Sequence, residues 1–507
     1  MKRTTNRLSK WATAILALCF AVTCATTARA GDQPGDNAGS QPAPATQPAT
    51  PAQPAADTQK RLEELEKEIA VLQSEISSLK DDSTAGVKTA AYAQPTSGAG
   101  SFNPGAAPDD APKINLAGLL GPVTLSGFGD AYYGYDYNHP GNNQAGLRFF
   151  EAPTNGFGFN MAELILDKAP DATSAEGRLG YHVSAGYGQA AKIVNGSDSV
   201  FGDKSNFFVK EAYLSYLAPI GKGLTITVGK FVTPNGAEVI ESNANWNYSR
   251  SLLFYYAIPY FHVGASAKYA FNSKWALTGY LVNGWNNTVI DHTSTGNGSN
   301  LTYGASLAYT PNMKWSVITN YFAGPVVDAT FSSGTQTFND WKQLSDTVIS
   351  YTPNSKWAFI LNGDYGFGPK FYSGCVTPDA SKVRPQSFFT CSSVSPSVSW
   401  WGAAGYAKYT WSPKTNFAVR YEYFGDPDGY TGLLVDPFDG DTGFPGHAQE
   451  VTGTYSYNLT SALLVRGEYR YDFASEPMFR NGPLKSVKEQ NTATVSFVYS
   501  FSSANLK

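Results

Sequence analysis

Residues 351–360 read YTPNSKWAFI: an aromatic, a Pro-Asn turn, a lysine, then a tryptophan that restarts an apolar run. Nearly the same words stand at 309–318 (YTPNMKWSVI) and 269–278 (YAFNSKWALT), with looser versions from 409 (YTWSPKTNFAV) and 457 (YNLTSALLV). Pro presets one turn dihedral and the Asn side chain bonds its own backbone, so each word predicts a tight reversal between two extended segments. The flanks confirm the extended reading. In SALLVRGEYRYD (461–472), Leu463, Val465, Tyr469 and Tyr471 share one face and Arg466, Glu468, Arg470 and Asp472 the other. In TNFAVRYEYF, Phe417, Val419, Tyr421 and Tyr423 oppose Asn416, Arg420 and Glu422. Period-two alternation means strands with one apolar and one polar face.

Sixteen such segments are predicted, near 122–137, 157–168, 177–188, 206–217, 223–232, 260–271, 274–284, 300–310, 313–322, 342–352, 355–365, 399–411, 415–425, 447–458, 461–472 and 488–501. Connections after even-numbered strands are short and those after odd-numbered strands long. One edge of tight turns and one of long loops is the layout of an all-β, transmembrane antiparallel barrel of about 16 strands, with periplasmic turns and external loops. The repeated words then place Tyr269, Trp275, Tyr309, Trp315, Tyr351 and Trp357 in an aromatic girdle at the inner membrane–water boundary. A soluble β-sandwich shows the same alternation but has no reason to put Tyr and Trp on one side of every turn. A propeller blade holds four strands in the length of one of these repeats.

The chain opens with Lys2, Arg3, Arg7 and Lys10, an apolar stretch from Trp11 to about Val22, and Ala28-Arg29-Ala30. This is the pattern of a secretory signal peptide, 1–30. Cys19 and Cys24 lack the small residue before them that a lipoprotein site prefers. Residues 31–57 are Gln, Pro, Ala and Thr, a disordered linker that cannot bury a core. Leu62, Leu65, Ile69, Leu72, Ile76 and Leu79 then fall at spacings of three and four, a heptad seam that predicts a short periplasmic coiled coil over 58–81. The competing reading is an amphipathic helix on the protein's own surface. A second linker, 82–112, leads to the barrel, 113–507.

Removing 1–30, which hold five basic residues and no acid, leaves 32 basic and 41 acidic residues, net −9. From residue 113 on, 27 basic face 29 acidic residues, net −2. Neither balance suits nucleic acid, which needs a basic face. No segment after Ala30 approaches 18 consecutive apolar residues. The mature chain keeps two cysteines, Cys375 and Cys391, in one long external loop (366–398); an even pair in an exported chain predicts a disulfide. The five histidines form no catalytic or metal-ligand word, so neither an enzyme nor a cofactor or metal site is expected.

A barrel of this size encloses a lumen that side chains alone cannot fill, so it should hold water and pass small hydrophilic solutes or ions. The third external loop, 232–259, carries Phe254, Tyr255, Tyr256, Ile258 and Pro259, and such a loop is expected to fold inward. Glu238, Glu241 and Arg250 are its candidate constriction charges, opposed by Arg420, Arg466 and Arg470 on the wall. The plainer reading is that Glu241 and Arg250 pair to hold the loop. The final strand, NTATVSFVYSF, places Phe497, Tyr499 and Phe501 outward. Such an aromatic end resembles the signal read by outer-membrane assembly machinery, although SSANLK follows it here.

LSGFGDAYYGYDYNHP (125–140), the run from Glu211 to Gly264 containing Gly229-Lys-Phe-Val-Thr-Pro234 and Asn247-Tyr-Ser-Arg-Ser251, and LVNGWNNT (281–288) resemble the β-barrel porin-2 family of bacterial outer-membrane proteins. The resemblance covers about 115–501 and implies a porin-like barrel in outer-membrane lipid. The stalk resembles that of trimeric specific porins, and the chain is expected to form a homo-oligomer, dimer or trimer. The alternative function is a structural barrel that tethers the envelope through its coiled coil.

Overall fold

The computed structural model describes residues 121, 123–197, 205–290, 301–327, 339–368, 397–438 and 442–503. The signal peptide, both linkers, the coiled-coil seam and the Cys375–Cys391 pair lie outside the described residues. Strands form where the alternation predicts them: β1 (Thr124–Asp136), β2 (Gly156–Lys168), β3 (Leu179–Tyr187), β4 (Phe207–Ala218), β5 (Leu224–Val232), β6 (Phe261–Ala270), β7 (Trp275–Val282), β8 (Thr302–Asn312), β9 (Trp315–Val327), β10 (Asn339–Tyr351), β11 (Trp357–Gly368), β12 (Val398–Ser412) and β13 (Thr415–Asp426). Two short hairpins sit in loops, β14 (Leu434–Val435) with β15 (Thr442–Phe444) and β18 (Phe479–Asn481) with β19 (Lys485–Val487). The remaining barrel strands are β16 (Gly446–Asn458), β17 (Leu463–Ala474) and β20 (Glu489–Ser502).

Sixteen of these strands pair with their neighbours in antiparallel order, and β1 closes on β20 from Ser126↔Ser502 to Asp136↔Thr492. Closure leaves no sheet edge, which a lipid environment requires because no water is there to satisfy free backbone groups. The outward face is apolar and open: Phe157 is 85% exposed and Leu214 67%, with Leu164, Val228, Leu361, Val419 and Tyr499 alike. A band of this extent is incompatible with water as the surrounding solvent. No helix among the described residues is long and apolar enough to cross a membrane.

The repeated words interlock around the barrel. Trp275 stacks on Tyr309 at 4.0 Å, Trp315 on Tyr351 at 4.2 Å, and Trp357 packs on Tyr409 at 4.7 Å. The tryptophan of each word thus meets the tyrosine of the next, its cross-strand partner. The turns are locked the same way. Asn354 Oδ1 accepts from the Lys356 and Trp357 N–H at 2.9 and 3.0 Å, and Asn272 does the same for Lys274 and Trp275. The N–H of the following word's threonine then donates to the lysine carbonyl, Thr352 to Lys314 at 2.8 Å and Thr410 to Lys356 at 2.7 Å. Asn354→Ala deletes one acceptor of two N–H groups; a loss of about 1 kcal/mol is expected, read as a lower urea midpoint for the barrel in detergent.

The lumen is not empty. The third loop, 233–260, enters it with a short 3-10 turn (Ser242–Ala244) and one π-helical turn (Leu253–Ala257). The first loop, 137–155, enters too. Their buried side chains, among them Phe150, Tyr248, Leu252, Leu253, Phe254 and Tyr260, join wall residues Tyr132, Trp400 and Phe424 in the principal core.

Candidate functional site

A loop buried inside a barrel carries backbone N–H and C=O groups that have lost water and need partners. The wall supplies them with charge. Glu468 accepts from the Tyr248 and Ser249 N–H at 2.6 and 2.9 Å. Glu422 accepts from the Leu252 and Leu253 N–H, the latter at 3.3 Å. In the other direction, Arg466 donates to the carbonyls of Ser242 and Asn245 at 2.6 and 2.7 Å, and Arg470 to that of Arg250 at 2.6 Å. Further side chains complete the set. The Ala237 N–H donates to Asn362 at 2.9 Å, the Tyr248 hydroxyl to Asp130 at 2.9 Å, and the Trp400 indole to the Ala257 carbonyl at 3.2 Å. Period-two alternation explains why one face of β13 and β17 can be so charged: every second residue points at the loop and every other one outward.

Each predicted constriction residue has a definite place. Arg420 is fully buried and donates to Glu450 at 2.5 Å, to Glu238 at 2.6 Å and to the Ser249 carbonyl at 2.6 Å. Glu238 also accepts from the Ser251 N–H at 2.6 Å, so it fastens two stretches of the loop to one guanidinium. Arg470 bonds Asp472 at 2.8 Å and lies 3.5 Å from Glu450. Arg250 donates to the carbonyls of Tyr248 and Ile240 and lies over the Phe150 ring, 4.9 Å from its centroid. Glu241 pairs with Lys210, which also holds Glu163 at 2.8 Å. The two loop residues therefore find separate partners; a direct Glu241–Arg250 pair is not the arrangement found. Of the wall and loop charges that the sequence set opposite one another, only Arg420 and Glu238 pair directly; Arg466 and Arg470 donate to loop carbonyls instead, and all six but Glu241 are buried.

The deepest part of the loop is its 3-10 turn. Asn243, which is exposed, donates to Ser500 at 3.1 Å, two residues from the turn-side end of β20. Trp246 lies under Lys408, whose Nζ is 4.6 Å from the ring centroid. The aromatic stretch 254–260 packs at the opposite end, against Trp400 and Phe424 near the loop-side ends of β12 and β13. The loop thus runs most of the depth of the barrel.

The first loop was not anticipated. Arg148 grips Asp472 through two bonds, 3.1 and 2.6 Å, and Thr492 through a third at 2.8 Å. Phe150 edges onto Tyr260 of the third loop, 5.9 Å between centroids. Glu151 is buried beside them, and burial pushes its carboxyl up to about 7, against the pull of Arg250 and Arg148. Nothing in the word RFFEAP (148–153) separates this loop from an ordinary solvated one, apart from two adjacent phenylalanines.

Two further polar clusters line the wall. His182 stands between Asp167 at 2.9 Å and Glu211 at 3.3 Å. Asp346 and Asp364 are cross-strand partners, both buried, with Asn320 and Asn362 donating to Asp346 at 2.7 and 2.8 Å. Among the described residues no group of three or more His, Cys, Asp or Glu side chains could hold a metal ion.

No curated protein matches the chain. Among solved structures it is similar to the outer membrane channel DcaP of Acinetobacter baumannii, at 13% identity over 75% of this chain and 97% of that one, TM-score 0.45. It is also similar to the trimer form of OmpT, an outer membrane protein of Vibrio cholerae, at 12% identity over 75% and 99% of the two chains, TM-score 0.44. A family model matches residues 122–501, from the first barrel strand to the last. The closed barrel of sixteen strands and the match over its whole length agree: the chain belongs to the family described as "Putative beta-barrel porin-2, OmpL-like".

Proposed function

We propose that the protein is an outer-membrane porin, a passive channel for small hydrophilic solutes or ions, with the third loop as its constriction. The observation that carries the reading is the way the loop is held: wall carboxylates and guanidiniums bond its backbone from Ser242 to Leu253 over much of the barrel's depth. A loop that merely capped the barrel would have no need of fully buried charges on the wall, each costly to desolvate. In this reading Glu238, Arg250, Arg420, Arg466 and Arg470 are the framework of the narrow section, and Glu241 is the charge that keeps solvent contact. Two exposed residues at the loop's deepest turn, Asn243 and Ala244, support open space on its turn side.

The outward band of Trp and Tyr marks the inner membrane boundary. The turns then face the periplasm, and the N-terminal segment lies there after removal of 1–30. Residues 58–81 hold two or three copies together as a coiled coil. The role is that of a channel and not of an enzyme.

Single-channel recordings in planar bilayers test this, with the mature protein and with a version lacking 31–112. Conductance steps grouped in twos or threes, becoming single without the stalk, are expected. A folded, heat-modifiable but silent protein would overturn the channel and favour a barrel that tethers the envelope through its stalk.

A further inference from the structure

We infer that the channel selects small anions, through a hydroxyl-lined, cationic vestibule on the turn side of the lumen. This rests on the channel reading above and names its substrate class. Lys268 lies two residues from the turn-side end of β6, on the lumen face that His262 fixes by stacking inside the barrel on Phe322. It is exposed, and its cross-strand partners are Thr225 and Thr278. Lys408 is half-buried six strands further round the barrel, four residues from the turn-side end of β12, between Ala358 and Ala418. Its ammonium lies over the Trp246 ring at the deep end of the third loop, a contact that leaves the charge uncancelled. Among the described residues neither lysine meets a carboxylate.

The lumen's acids are bonded elsewhere. Glu238 and Glu450 sit on Arg420, Asp472 on Arg148 and Arg470, Glu163, Glu211 and Glu241 around Lys210, Asp167 and Glu211 on His182, and Glu422 and Glu468 on loop N–H groups. Asp346 and Asp364 are sealed from solvent, at 0% and 4% exposure. A solute entering from the turn side therefore meets the hydroxyls beside Lys268, two ammonium groups six strands apart, and the Asp167 carboxylate, whose charge His182 shares. Low-dielectric walls focus such a field, and placed charges of one sign set ion preference whatever the net charge of the chain.

Reversal potentials of the full mature protein in a KCl gradient test the inference. Chloride is expected to pass several-fold more readily than potassium. Lys268→Glu and Lys408→Glu each reduce that preference, the double variant inverts it, and Lys268→Arg retains it. Lys268 is exposed, so its replacement leaves the barrel intact, which heat-modifiability on a gel verifies. An open channel that prefers potassium, or one whose preference ignores both glutamates, overturns the anion vestibule alone. Absence of any conductance from folded protein overturns the channel reading and this inference with it.

Discussion

Replacing Arg420 by alanine is expected to free the third loop while the barrel stays closed. The guanidinium is fully buried and holds Glu450, Glu238 and the Ser249 carbonyl within 2.6 Å. Its removal leaves two carboxylates in a site from which water is excluded. Breaking a buried pair by deleting one partner costs about 3–5 kcal/mol, because the charge left behind is uncompensated. The backbone ladder of β13 with β12 and β16 does not involve the side chain, so the loss falls on the loop. Two readouts follow: protease cleavage between 233 and 260, absent in the parent, and larger, noisier conductance. Arg420→Met combined with Glu238→Gln and Glu450→Gln removes the stranded charges and should recover much of the protection. If Arg420→Ala keeps parental conductance and protease resistance, the loop is held by its other wall contacts and Arg420 has another purpose.

The strands were legible because one physical rule writes them. Lipid on one side and water or polar loop on the other force alternation at every second residue, as in Leu463 to Asp472, and no other element imposes that period. Where a strand carries ordinary turn residues the rule fails to show. β9 runs on through Ala323-Gly324-Pro325 to Val327, and β10 begins at Asn339, so both are longer than their sequence suggests. Gly and Pro argue against strand, yet the whole segment pairs, from Asn339↔Val327 to Tyr351↔Trp315. The third loop was legible from Phe254, Tyr255 and Tyr256, too apolar for a solvated connection. Its partners were not, since Glu238 finds Arg420 across 182 residues of chain and no local pattern announces such a contact. The first loop stayed hidden for the same reason. Its anchor is Asp472, 324 residues away.

Stability of the docked first loop is expected to fall as pH rises from about 4.5 to about 7, and Glu151→Gln should abolish that fall. In the folded protein burial holds the Glu151 carboxyl at about 7, above its value of 4.5 in an open chain. Below 4.5 the group is neutral in both states and burial costs nothing in charge. As pH rises, the carboxyl of the undocked or unfolded chain ionises first, and the docked form, still protonated, loses ground with every unit. Above 7 both are ionised and the loss levels off, at roughly 3 kcal/mol for a shift of this size, counting about 1.4 kcal/mol per unit. Glutamine keeps the shape and cannot ionise. The variant should therefore match the parent near pH 4 and exceed it by up to about 3 kcal/mol at pH 8, in urea midpoints taken at both values. Because Phe150 and Arg250 join the two loops, parent channels at pH 8 should also show more flicker than the variant. Parallel pH curves for the two proteins would mean that water reaches Glu151 Oε2, for which the protein offers no partner, and hydrates the charge in place.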